Sequence, residues 1–71
     1  MTFYTFIQRY AGDQTAFGDT VRDIVEDKKF PRRATKFETL ENYLFFKSSP
    51  LFMSTFERMY EHYAKLGRDI V

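Results

Sequence analysis

The sequence contains no cysteine, no tryptophan and a single histidine among its 71 residues. Without cysteine there is neither a disulfide framework nor a thiolate zinc site. His62 alone cannot supply a multi-histidine metal cluster. Long apolar runs are missing as well. The longest, Tyr43-Leu44-Phe45-Phe46, falls far short of the roughly 20 residues that span a bilayer. The first ten residues lack the cationic start and small-residue cleavage site of a secretory signal. Only three glycines and two prolines interrupt the chain, and neither a repeat nor a low-complexity tract is present. The expectation is one cytoplasmic domain over residues 1–71, with its core within about 3–66 and no membrane contact. That length lies near the lower limit at which one core holds without staples.

What the sequence has in excess is aromatic side chains: nine Phe and five Tyr. In so short a chain most of them are needed as core, because a buried aromatic removes about 150–250 Å² from water. Their spacing is helical. Phe3, Phe6, Ile7 and Tyr10 fall at i, i+3, i+4, i+7, predicting a helix from about Thr2 to Ala11, capped by Thr2 and stopped by Gly12. A second helix is expected from about Thr15 to Lys28, with Asp13 or Thr15 as cap. It buries Phe17, Val21, Ile24 and Val25, places Lys28 and Lys29 in its last turn, and is weakened at Gly18 by up to about 1 kcal/mol relative to alanine. Pro31 pushes Phe30 out of the helical region and into the core.

Thr35-Lys36-Phe37-Glu38 fits a capping box, so a third helix is expected from about Lys36 to Lys47, burying Phe37, Leu40, Tyr43 and Leu44. Ser54 to Glu57 offers a second such box, although Ser49-Pro50 would start the last helix one turn earlier. Phe52, Phe56, Met59, Tyr63 and Leu66 form that helix's stripe, ended by Gly67. No stretch alternates like a half-buried strand, so the class is all-α.

Phe3-Tyr4-Thr5-Phe6, the string Asp23-Ile24-Val25-Glu26-Asp27-Lys28-Lys29-Phe30-Pro31-Arg32, and the later Leu40-Glu41-Asn42-Tyr43-Leu44 and Met53-Ser54-Thr55-Phe56 together resemble the YozE family of small proteins from Gram-positive bacteria and their phages. The likeness covers about residues 3–66. Its most specific part is the acidic helix end leading into Phe-Pro-basic. The resemblance implies a compact four-helix fold similar to SAM (sterile alpha motif) domains. It implies no activity, because the family brings no catalytic residues to carry over. This chain departs from the family pattern after the Phe-Pro corner, where Arg33 and Lys36 replace acidic residues.

The residues themselves make no case for an enzyme, a cofactor, a metal or a small-molecule substrate. Nucleophilic catalysis needs Ser or Cys beside an oriented base, and the one imidazole sits mid-helix between Arg58 and Lys65, as a rim histidine. The carboxylates Asp19, Asp23, Glu26 and Asp27 share a flank of the second helix and read as a solvated acidic face.

Net charge is +1, but it is unevenly spread. Lys28, Lys29, Arg32, Arg33 and Lys36 place five positive charges in nine residues with no acid among them. Such a corner suits the phosphates of DNA or RNA. Base-specific readout by a recognition helix is disfavoured, because Glu38 and Glu41 occupy the start of the third helix. The competing reading is a protein-interaction module, binding another protein or a second copy. Its acidic flank would be Asp19, Asp23, Glu26 and Asp27, with Phe45 and Tyr4 as leftover aromatics. Phe45 lies away from the Leu40/Leu44 side. The expectation is that the 48–53 segment folds back over it; otherwise it forms an exposed patch with Leu51 or Phe52. Protein interaction is the first reading and nucleic acid the alternative.

Overall fold

Four helices follow one another, and among the described residues there is no strand. The computed structural model of the protein describes residues 1–67. Helix α1 spans Phe3–Ile7, and the chain then tightens into a 3-10 turn over Gln8–Tyr10. Thr2 caps it, its Oγ1 accepting the Thr5 N–H at 3.2 Å, which satisfies one of the first-turn donors. Gly12 does not stop the helix by a left-handed turn, since no residue described has positive φ. The exit is made instead by the tightened turn and by Asp13 N–H donating to the Tyr10 carbonyl at 3.0 Å.

Helix α2 spans Ala16–Glu26. Asp13 and Thr15 act in series at its start. Asp13 Oδ1 accepts the Thr15 N–H at 2.8 Å, and Thr15 Oγ1 accepts the Phe17 N–H at 3.2 Å. This tight entry explains Gly18. A Cβ there would lie 1.7 Å from the Asp13 carbonyl oxygen, so glycine is required by the close approach rather than merely tolerated. The helix stops two residues earlier than Lys28 because Asp27 turns extended and its Oδ1 takes the Lys29 N–H at 3.0 Å. Lys28 and Lys29 therefore lie outside the last turn, and Val25, expected inside, is exposed.

The connection to the next helix is two consecutive turns, closed by Phe30 N–H to Asp27 O and Ala34 N–H to Pro31 O, both at 3.1 Å. Phe30 plugs into the core as Pro31 predicts, with the rings of Tyr4 and Tyr43 beside it. Helix α3 spans Phe37–Phe45, and Lys36 occupies its cap position with no side-chain bond. The Thr35/Glu38 box does not form, because the helix begins one residue too late for it. The Thr35 carbonyl is held by the Tyr60 hydroxyl at 2.7 Å. Helix α4 spans Pro50–His62, with Pro50 in its first turn and Ser49 Oγ accepting the Phe52 N–H at 3.1 Å. The earlier of the two possible starts is used, and Ser54 is an exposed interior residue. The last turn, Tyr63–Gly67, is π-wound. That wider winding turns Leu66 off the stripe, leaving it 56% exposed.

Helix α2 packs along α4, α1 lies against the Tyr63–Gly67 turn, and α3 touches α4. Phe3 stands at the centre, edge-on to Phe56 at 5.5 Å and to Tyr63 at 5.6 Å, while Phe37 stacks on Phe56 at 5.4 Å. Pairs of this kind contribute about 0.5–1.5 kcal/mol each beyond their buried area. The buried tyrosines find acceptors: Tyr63 donates to the Met1 carbonyl at 2.6 Å, fastening the N-terminus to the last turn. The aromatic excess is thus largely consumed by one core.

Candidate interaction surfaces

The basic corner survives as an exposed feature but changes its origin. Lys28, Lys29, Arg32, Arg33 and Lys36 are all exposed on the α2–α3 connection, alternating with the inward-turned Phe30 and the half-buried Pro31 and Ala34. Among the described residues none of the five lies within ion-pair distance of a carboxylate; the one ion pair is Arg22–Asp19. The backbone carrying them is pinned, through Ala34 O accepting the Phe3 N–H at 3.4 Å and Thr35 O accepting from Tyr60. The cations are therefore held out on a fixed ledge.

Tyr4 is not a free aromatic. It is half-buried against Phe30, and the Arg32 guanidinium covers its ring at 4.9 Å, a cation–π contact that takes both groups partly out of use. The acidic flank divides as well. Asp19 is paired to Arg22. Asp27 is a structural joint: the Tyr43 hydroxyl donates to its Oδ2 at 2.6 Å. That hydroxyl first, and the Lys29 N–H second, hold the Asp27 carboxyl below the ordinary carboxylate range. Asp23 and Glu26 remain exposed and uncommitted.

The α3–α4 corner departs most from expectation. The 48–53 segment does not cover Phe45, because α4 already begins at Pro50 and carries those residues along its own axis. Phe45 is 61% exposed, Leu51 73% and Phe46 90%. The two phenylalanine rings meet edge-on at 5.0 Å. Phe46 was legible in principle: two residues past Leu44, a helical position points about 200° away from it. Beside this corner, an open groove of about 430 Å³ between the end of α2 and the α3–α4 junction is lined by Asp23, Glu26 and Lys47 over Ile24, Leu44 and Phe52. A smaller one, about 190 Å³, continues from it past Asp23, Ser49 and Phe52 to Asp19 and Leu51.

On the opposite rim the Tyr10 hydroxyl lies 3.2 Å from His62 Nδ1, with Phe17 edge-on to the imidazole. His62 is thus an exposed rim residue joined to a tyrosine, with no Ser or Cys nucleophile in the contact. Among the described residues no group of three or more His, Cys, Asp or Glu side chains could hold a metal ion. No helix among them is long and apolar enough to cross a membrane.

These features define a small all-α domain whose surface chemistry is a cationic ledge, an acidic helix flank and an exposed aromatic corner. Residues 2–65 match the family model described as YozE SAM-like fold, and the chain belongs to that family. No curated protein and no solved structure matches it.

Proposed function

We propose that this domain acts by binding rather than by catalysis, and that its first role is contact with another protein through the α3–α4 corner. The observation that carries this is the exposure of Phe45, Phe46 and Leu51 on either side of the break between the two helices. Leaving such a side chain in water forfeits roughly 1.5–3 kcal/mol each that burial would supply. A chain this short, with its other phenylalanines wholly or partly buried, has little reason to leave three such groups out unless a partner covers them.

A photo-reactive benzoylphenylalanine at position 46 of the full chain, irradiated in its native host, tests the reading. A discrete adduct stronger than from the same probe at Glu57 is expected. Equal labelling at both positions removes the proposal.

The cations of the α2–α3 connection, none of them ion-paired and Arg32 alone resting on the Tyr4 ring, favour a second reading, contact with nucleic-acid backbone. Three to five neutralised phosphates give duplex binding a slope of about −3 to −4.5 in log K against log salt. Fluorescence anisotropy at about 50 mM salt tests it, and no binding to duplex or single-stranded DNA or RNA removes it.

A further inference from the structure

We infer that the groove between α2 and the start of α4, which shares Leu51 with the α3–α4 corner, receives a cationic amphipathic helix of another protein, a proposal that rests on the interaction reading above and extends it to this adjoining surface. The two depressions share Asp23, Ser49 and Phe52, so they form one continuous groove rather than two pockets. Its α2 wall runs from Ala16 to Asp27. At 1.5 Å per residue that is about 16 Å, the length of roughly three helical turns.

Its chemistry is two-sided. Its apolar surface lies on the α4 side, in exposed Leu51 and half-buried Phe52, over Ile24 and Leu44 that are buried beneath. The α2 wall is anionic: Asp23 and Glu26 stand exposed and unpaired. The larger depression sets three carboxylates against the single ammonium of Lys47, whose Nζ already donates to Tyr43 at 3.0 Å. The smaller one shares Asp23 and adds Asp19, which Arg22 already pairs. The C-terminal end of α2 adds its negative dipole on the same side. An occupant must therefore present apolar side chains toward Leu51 and Phe52 of α4 and Lys or Arg toward α2.

A helix meets that demand, since apolar residues at i, i+3, i+4 and i+7 leave a cationic flank. A peptide that adds as a strand needs a sheet edge, and among the described residues there is no strand. A second copy fits poorly. The basic connection of this chain carries its one large apolar side chain, Phe30, inside its own core.

The test titrates the isotope-labelled full chain with three 12-residue peptides: Leu/Lys with leucines on one face, the same with Glu for Lys, and a Leu/Lys scramble without an apolar face. The facially patterned Leu/Lys peptide is expected to saturate below about 1 mM, shifting amides of Asp19–Asp27 and Ser49–Thr55. Asp23→Asn with Glu26→Gln weakens it fivefold to tenfold. Leu51→Ser, a second exposed position, weakens it independently. Equal binding of the Glu peptide or the scramble, shifts confined to residues 28–36, or no saturation by 1 mM overturns the inference. Concentration-dependent shifts of the chain alone over the same residues give the groove to a second copy and also overturn it. A cross-link retained at position 46 alongside failed peptide binding removes this inference and leaves the interaction reading standing; loss of both removes both.

Discussion

Tyr43 of α3 donates its hydroxyl to Asp27 Oδ2 at 2.6 Å, while the other oxygen of the same carboxylate takes the Lys29 N–H at 3.0 Å. One side chain thereby ends α2, starts the basic connection and fastens α3. Lys47 completes the joint, donating to the Tyr43 oxygen at 3.0 Å and lying 4.1 Å over its ring. The Tyr43 bond is the main reason that Asp27 titrates low and that Lys47 titrates high.

The sign of the pH dependence follows. A depressed carboxylate contributes stability above its unfolded pKa, near 3.9, and loses it as pH falls through the folded value. The raised lysine contributes below about 10.4 and loses its share as pH rises through its folded value. Tyr43→Phe should move the Asp27 titration up toward the ordinary range and shift acid unfolding to higher pH. Carboxyl-carbon NMR titration of both proteins checks this, and an unchanged Asp27 midpoint contradicts it.

Gly18 and Gly12 should respond oppositely to alanine. At Gly18 the new Cβ would meet the Asp13 carbonyl at 1.7 Å, and backbone cannot yield cheaply. The propensity gain of about 1 kcal/mol is outweighed by overpacking, which costs about 1–3 kcal/mol or more. Gly12 has nothing within 4 Å of its built Cβ and no positive φ. Gly12→Ala should stabilise by about 0.4–1 kcal/mol. Urea denaturation of the two variants decides both.

The two candidate caps of α4 are separable in the same way. Ser49→Ala removes the acceptor of the Phe52 N–H and should cost about 1 kcal/mol. Ser54→Ala, inside the helix and exposed, should leave stability within about 0.5 kcal/mol of the parent. An equal loss at Ser54 would mean that α4 begins a turn later.

Phe46 and Phe56 provide the sharpest contrast between identical side chains. Phe46→Ser, at 90% exposure, should change stability by less than about 0.5 kcal/mol while weakening partner contact at that corner. Phe56→Ala, fully buried against Phe3 and Phe37, should cost about 3–5 kcal/mol, much of the stability of so small a domain. Thermal melts followed by far-UV circular dichroism separate the two.

The four helices were legible without the structure, because apolar spacing at 3.6 residues needs no knowledge of neighbours. The sequence also placed the start at Thr2 and the Phe30-Pro31 corner, whose causes are local: a cap reaches two or three residues, and proline constrains the one before it. The exposed cationic segment was legible for the same reason, since five charges without an acid between them cannot all be buried.

How those pieces were used depended on contacts between helices. The Thr35 box fails because α3 begins one residue later, with the Thr35 carbonyl held by Tyr60 from 25 residues away. Gly18 changed from a weakness to a requirement through a carbonyl five residues upstream. Asp27 left the acidic face because Tyr43 reached it from another helix, and Tyr4 left the aromatic surplus beneath Arg32. Phe45, Phe46 and the groove over Phe52 emerged once the path of α4 was set. Contacts between elements depend on how helices cross, which is a property of the whole core and not of any window of sequence.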